Sequence, residues 1–144
     1  RLLKDARSST VAEIAVPTAA GSVPVIYKRF RVRSWLGAVK NLLRPSAALR
    51  SWVNGHGLRD RGLPTARPLA MFHRYRHGLP AEGYVVFEKV PGGVELPAAV
   101  AADPAGVRDL ADRLGRLLRA MHDRGVSHRD LKAPNVLLAN AADP

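Results

Sequence analysis

Apolar and polar positions alternate along the first thirty residues, and that period of two predicts strands. Leu2 to Asp5 and Thr10 to Val16 read as strands around Ala6-Arg-Ser-Ser9. A turn at Thr18-Ala-Ala-Gly-Ser22 leads into a third strand, Val23 to Phe30. The spacing then changes to helical. Ser34 is placed to cap a short helix from Trp35 to Leu43, and Pro45-Ser46 opens a second one. Leu49, Trp52 and Val53 are expected to line one side of that second helix, with Gly62 at its C-terminal cap. Gly55 and Gly57 weaken it by about 1 kcal/mol each relative to alanine.

Two more strands follow, Leu69 to Tyr75 and Tyr84 to Val90, joined by a turn at Gly78 and Pro80. Pro91-Gly92-Gly93 interrupts the chain, and the composition shifts from basic and β-rich to helical. A domain boundary is therefore expected there, with 1–90 as one lobe and 91–144 as part of another. Asp103 is the expected N-cap of the clearest helix, with Pro104 at its first position. Val107, Leu110, Ala111, Leu114, Leu117, Leu118 and Met121 form its apolar stripe, and Gly125 ends it. The following loop would then hang from a rigid, buried helix. Val136 to Leu138 reads as a short strand.

Composition narrows the class. Of the 144 residues 47% are apolar, enough for a core. The absence of cysteine excludes disulfides and thiolate metal sites. No apolar run reaches the 18 residues of a spanning helix. The chain has no initiator Met, opens on a strand and stops soon after residue 138, so a fragment is expected. The net charge of +11 is local: Lys28 to Leu79 contains 12 Lys/Arg against the single acid Asp60. The remainder contains 11 of each sign. Such a stretch suits an anionic partner, whether a phosphorylated glycolipid, an acidic membrane surface or a nucleotide. Nucleic acid is disfavoured, because no recognised binding motif or aromatic stacking cluster accompanies the charge.

The chemistry concentrates in Val126-Ser-His-Arg-Asp-Leu-Lys-Ala-Pro-Asn135. Phosphoryl transfer depends on positioning and charge compensation. Asp130 can orient an attacking hydroxyl and accept its proton, and Lys132 can neutralise the transferring group. The side-chain oxygen of Asn135 suits Mg²⁺, which favours hard oxygen donors. Asp130 and Lys132 are the candidate catalytic residues, and Asn135 the candidate metal ligand.

His-Arg-Asp-Leu-x-x-x-Asn resembles the catalytic loop of protein-kinase-like enzymes. Five strands, a helix between the third and fourth, a Gly/Pro hinge and a long helix before this loop resemble the same fold. The resemblance implies an α+β, bilobal architecture: a five-stranded antiparallel small lobe with a helix, then the first part of a helical large lobe. Tyr27-Lys-Arg-Phe30, the helix running into Gly62-Leu-Pro-Thr-Ala-Arg-Pro68, and Phe87-Glu-Lys-Val-Pro-Gly92 look most like the bacterial lipopolysaccharide (Kdo/core heptose) kinase family.

The resemblance implies ATP and Mg²⁺ as cofactors and assigns further residues. Lys28 matches the third-strand lysine that holds the α- and β-phosphates. Ser8, Ser9 and Thr10, in Arg7-Ser-Ser-Thr10, stand where the phosphate-covering loop belongs, without its glycines. Phe87 matches the back of the adenine pocket, and Glu88 and Val90 the positions whose backbone binds the adenine edge. His128 matches a residue that braces the loop backbone, and Arg129 one that reads a phosphate or acid in a downstream activation segment. Two departures from the pattern stand out. Between Arg29 and Arg59 there is no Asp or Glu to pair with Lys28, although Ser51, Asn54 or His56 can occupy the facing position. The second metal-binding aspartate is not found by Pro144, since Asp143 follows Asn135 too closely.

The implied function is an ATP-dependent kinase acting on an alcohol, with a lipopolysaccharide-core sugar as acceptor. A Ser/Thr protein kinase and a non-catalytic pseudokinase-like binding module are the alternatives. The implied location is cytoplasmic, with room for peripheral contact at the inner face of the bacterial membrane. Trp35, Leu36 and Leu43, beside Arg31, Arg33, Lys40 and Arg44, would supply that contact unless they pack on the sheet.

Overall fold

The computed structural model describes residues 1–32, 44–128 and 130–139. The expected helix from Trp35 to Leu43, with the membrane contact assigned to it, lies outside the described residues. The chain is α+β and divides into two units, Arg1–Lys89 and Val90–Pro144.

The first unit is a five-stranded antiparallel sheet with one helix. Strands β1 (Leu2–Ala6), β2 (Ser9–Thr18) and β3 (Gly21–Arg31) form a meander. Strands β4 (Pro68–Arg76) and β5 (Leu79–Glu88) form a hairpin that adds to it through β5, giving the order β1-β2-β3-β5-β4. The β4–β5 turn is His77–Gly78 rather than Gly78 and Pro80, and Pro80 lies inside β5. Both turn residues have positive φ, 49° and 75°, which suits a two-residue hairpin between right-twisted strands.

Helix α1 (Ala47–Asp60) begins where Ser46 accepts a hydrogen bond from the Leu49 N–H at 3.0 Å. The Ser46 hydroxyl also meets His73 Nε2 at 2.7 Å, which ties the cap to β4. At the other end Gly62 takes φ +65°, and Leu63 N–H reaches back to the Leu58 carbonyl. The helix packs chiefly against β4 and β5, through Ala48 and Gly55. Val53 does not face the sheet; it is 56% exposed. The reason is steric. A Cβ on Gly55 would stand 2.5 Å from Pro68 Cγ, and one on Gly83 2.7 Å from Ala48 Cβ. Close approach selects the small residues for the contact, so Gly55 serves packing where propensity alone counts it a weakness. Val85 and Val25 lie at the centre of the sheet core.

Register assigns the faces, because cross-strand partners point the same way. Lys28 lies opposite Val11 and Val85, on the side where Gly83 and Phe87 meet α1. The other side carries Tyr27, Tyr84 and Phe72 in a row of stacked or tilted rings, with Arg29 paired to Glu82.

The second unit holds β6 (Val94–Glu95), α2 (Leu96–Ala102), α3 (Val107–Asp123), a 3₁₀ turn (Ala133–Asn135) and β7 (Leu137–Leu138). Neither β6 nor α2 stands out in the sequence, since both are short. Helix α3 starts at Val107, not at Pro104, because the Asp103 side chain accepts from the Gly106 N–H and closes a turn first. Within these residues Met121 of α3 is buried, and Leu110, Leu114, Leu117 and Leu118 are half-buried along the same stripe. Among the described residues no helix is long and apolar enough to cross a membrane.

Candidate active site

The loop after α3 is anchored at both ends. Gly125 takes φ +68° and turns the chain, and Val126 N–H bonds back to the carbonyl of buried Met121 at 2.9 Å. At the far end β7 pairs with β6, and Leu96 N–H donates to the Val136 carbonyl at 2.9 Å. The loop is thus tied to the starts of β6 and α2 as well as to the end of α3.

Between these anchors the three sequence-predicted side chains converge. Lys132 Nζ lies 2.7 Å from Asp130 Oδ1. Asn135 Nδ2 donates to the Asp130 carbonyl at 2.8 Å, and Asn135 N–H to the Lys132 carbonyl at 2.8 Å. His128 Nδ1 accepts the Asp130 N–H at 3.2 Å, which ties the exposed imidazole to the loop backbone. Arg129 lies outside the described residues. The Asp130 carboxyl is held below the usual carboxylate range, first by its hydrogen bond from Lys132 and then by that charge. It is therefore an ionised acceptor at neutral pH.

Mg²⁺ can be tested against this geometry. Asn135 spends its amide N–H₂ inside the loop, and that leaves its Oδ1 as a hard oxygen donor. Among the described residues no group of three His, Cys, Asp or Glu side chains could hold a metal. The loop thus offers one oxygen ligand of the kind that Mg²⁺ takes.

In the first unit, Lys28 is half-buried, and its ammonium stands 5.0 Å from the Phe30 ring centroid. Burial lowers its pKa, and Lys4 lowers it further. No ion pair involves Lys28 among the described residues. Of the three side chains that could replace the missing helix acid, Asn54 is exposed, and Ser51 is half-buried. His56 is edge-on to Trp52, and its Nε2 is buried without a partner.

Lys4 is a residue that reading the sequence overlooked. It pairs with Val11, which pairs with Lys28, so both lysines stand on one face across three strands. The signal was present in the alternation of β1, but the bulge between Leu2 and Lys4 hides the register until the strands are paired.

The other assigned residues separate by face. The β1–β2 turn consists of Arg7 and Ser8 alone, with Ser9 and Thr10 already in β2. The Ser8 carbonyl accepts the Arg31 N–H at 2.9 Å. Ser9 lies on the Lys28 side, whereas the Thr10 hydroxyl donates to Asp5 and accepts from Arg31 on the opposite side. Phe87 is on the Lys28 side, and its ring lies close to Gly55 of α1. The Glu88 side chain pairs with Arg67 at 3.0 Å, and its N–H is taken by the Arg67 carbonyl. The Val90 carbonyl accepts from Gly93 N–H.

Comparison with known proteins agrees with this chemistry. A family model described as the lipopolysaccharide kinase (Kdo/WaaP) family matches residues 31–143. A 3-deoxy-D-manno-octulosonic acid kinase of Vibrio cholerae is 36% identical over 81 residues, 56% of this chain and 34% of that protein. One from Stenotrophomonas maltophilia is 38% identical over 80 residues, 56% of this chain and 31% of its own. One from Xylella fastidiosa is 29% identical over 102 residues, 62% of this chain and 40% of its own. The chain spans less than half the length of these curated relatives.

Proposed function

The chain belongs to the lipopolysaccharide kinase (Kdo/WaaP) family, and from that premise we propose that the protein transfers the γ-phosphoryl group of ATP to a sugar hydroxyl of lipopolysaccharide. The relatives are named for 3-deoxy-D-manno-octulosonic acid, which makes that sugar the acceptor of first choice. The observation that carries the reading is the anchored loop, in which Asp130, Lys132 and Asn135 are held together by hydrogen bonds.

Each residue has a role in this reaction. Asp130 takes the proton of the acceptor hydroxyl as its oxygen attacks the γ-phosphorus, and ADP departs in line. Lys132, paired with Asp130 in the resting loop, compensates the charge of the transferring group. Lys28 and Lys4 present two cations from one face of the sheet to the nucleotide phosphates, and Ser9 adds a hydroxyl there. Phe87 and the backbone of Glu88 and Val90 hold the adenine. Asn135 Oδ1 would hold Mg²⁺, which supplies charge neutralisation of the phosphates when bound. The location proposed with this reading is cytoplasmic, with the acceptor met at the inner face of the membrane.

The test is ³²P transfer from ATP by the full-length protein, with lipopolysaccharide or a generic basic protein as acceptor. Label in the glycolipid alone is the expected result. Label only in protein would overturn the acceptor assignment in favour of a protein kinase, and no label in either would favour a binding module.

A further inference from the structure

Among the described residues the five-stranded sheet has three hairpin turns, each of two residues. Two-residue turns favour positive φ, because their twist then matches that of the strands they join. The β4–β5 turn meets this with His77 and Gly78, and the β2–β3 turn runs into Gly21 at φ +123°. The β1–β2 turn, Arg7–Ser8, has neither a glycine nor a positive φ in it or beside it. Its own backbone preference does not hold it in place.

The hold comes from the end of β3. Arg31 N–H donates to the Ser8 carbonyl at 2.9 Å, so the pairing of β2 with β3 continues into the turn itself. Through Nη1 the Arg31 guanidinium donates to the Ala6 carbonyl at 3.0 Å. Its Nη2 donates to the Thr10 hydroxyl at 2.6 Å and to Asp5 Oδ1 at 3.2 Å. The Thr10 hydroxyl donates in turn to Asp5 Oδ1 at 2.8 Å. These two bonds, Thr10 first, hold the Asp5 carboxyl below its usual range, so the acceptor is ionised at neutral pH. One residue, with the planar fork that only arginine has, therefore ties both strands of the hairpin and the carbonyls on either side of Arg7.

The brace stands on one side of the sheet. Asp5, Thr10 and Arg31 lie opposite Lys28, whereas Lys4, Ser9 and Phe30 share the Lys28 side. Carbonyl oxygens repel phosphate, and Arg31 engages two of them without entering the face where Lys4 and Lys28 stand. We infer that Arg31 is a positioning residue of the nucleotide site: from the face opposite Lys28 it fixes the β1–β2 turn, so that the turn meets the nucleotide phosphates already ordered. The inference rests on the phosphotransfer reading, in which this turn covers the phosphates. A flexible glycine-rich loop must be ordered when phosphate arrives, at a cost in affinity. A turn fixed beforehand avoids that cost.

The experiment uses the full-length protein and compares calorimetric binding of ATP with that of adenosine, which lacks the phosphates. R31M should weaken ATP about tenfold and leave adenosine as in the parent. R31K keeps the charge without the fork and should recover only part of the loss. In steady-state transfer the loss should fall on the KM for ATP and not on that for lipopolysaccharide. D5A removes, from an exposed position, the carboxylate that Arg31 and Thr10 share. It should also weaken ATP, by a smaller factor, although loss of an acid by itself favours an anion; it carries the test if R31M does not fold. Without nucleotide, the amide of residue 31 should exchange its hydrogen faster in R31M and D5A than in the parent. Equal losses for ATP and adenosine would reduce Arg31 to a general structural role, and unchanged ATP affinity in the folded variants would show that the turn needs no brace. Either result overturns the inference. A parent that binds no ATP would instead overturn the phosphotransfer reading, and the inference with it, before any variant is compared.

Discussion

Lys132 Nζ lies 2.7 Å from Asp130 Oδ1, and both side chains are open to solvent. An exposed, solvent-screened pair of this kind contributes little to stability. Its place on a loop anchored by Met121 and Val136 instead fits a pair kept for chemistry. Asp130→Ala should therefore lower phosphate transfer by about 10²–10⁴-fold, the usual share of a general base. The urea midpoint should stay close to the parent's. Single-turnover ³²P transfer and equilibrium unfolding measure the two quantities, and equal transfer would remove Asp130 from the mechanism.

The same contact predicts a titration. Lys132 is the leading reason that the Asp130 carboxyl titrates below its ordinary value of 3.8. With a depressed folded-state pKa, the contribution of the pair is present above 3.8 and lost as pH falls through the folded value. Lys132→Ala should move the Asp130 midpoint upward toward 3.8. Carboxyl ¹³C NMR of the two proteins reads the shift directly. An unchanged midpoint would mean that Lys132 does not hold the carboxylate in solution.

Lys28 gives the opposite sign. Burial, followed by Lys4, lowers its pKa from 10.5. Between the folded value and 10.5 the unfolded chain binds more protons, so this group's cost to stability is largest at low pH and fades as pH rises. Lys28→Met should raise the melting temperature near neutral pH by a few degrees, and the gain should shrink as pH approaches 10.5. Nucleotide binding should be lost in the same variant. Calorimetry over a pH series, with and without ATP, checks both halves; a variant less stable than the parent at neutral pH would contradict the first.

Gly55 and Gly83 mark where α1 touches the sheet. Gly55→Ala would gain about 1 kcal/mol of helix propensity, yet its new Cβ would meet Pro68 Cγ at 2.5 Å. Overpacking of a rigid ring costs about 1–3 kcal/mol, so the net change should be destabilising. Gly83→Ala meets Ala48 Cβ at 2.7 Å and should destabilise in the same way. Urea unfolding of the two variants decides the point. Gly57→Ala, which meets only the end of the flexible Arg61 side chain, should instead be neutral or stabilising.

Much of this architecture was legible in the chain itself. Strand alternation located β1 to β5, and Ser46, Gly62 and Gly125 marked helix ends because capping is a local matter of one side chain or one φ angle. The candidate site was legible as a cluster as well, since Asp130, Lys132 and Asn135 lie within six residues and a single loop brings them together. The misplacements have physical causes. The helix expected to begin at Pro104 begins at Val107, because the Asp103 side chain closed a turn before it could cap a helix. Helix α3 shows its expected apolar stripe, with Met121 buried and Leu114, Leu117 and Leu118 half-buried, but periodicity states which face is apolar and not what covers it.

The sequence by itself determined the strands, the caps and the clustering of polar residues in the loop, because each depends on residues close together along the chain. Tertiary structure decided which side chains share a face. Pairing through Val11 set Lys4 beside Lys28, and the same register sent Thr10 to the opposite side with Asp5 and Arg31. It also turned Val53 outward and Gly55 inward. Those outcomes depend on strand register and on how closely a helix can approach a sheet. Both are settled only when segments far apart in the chain meet, since a shift of one residue would reverse every face.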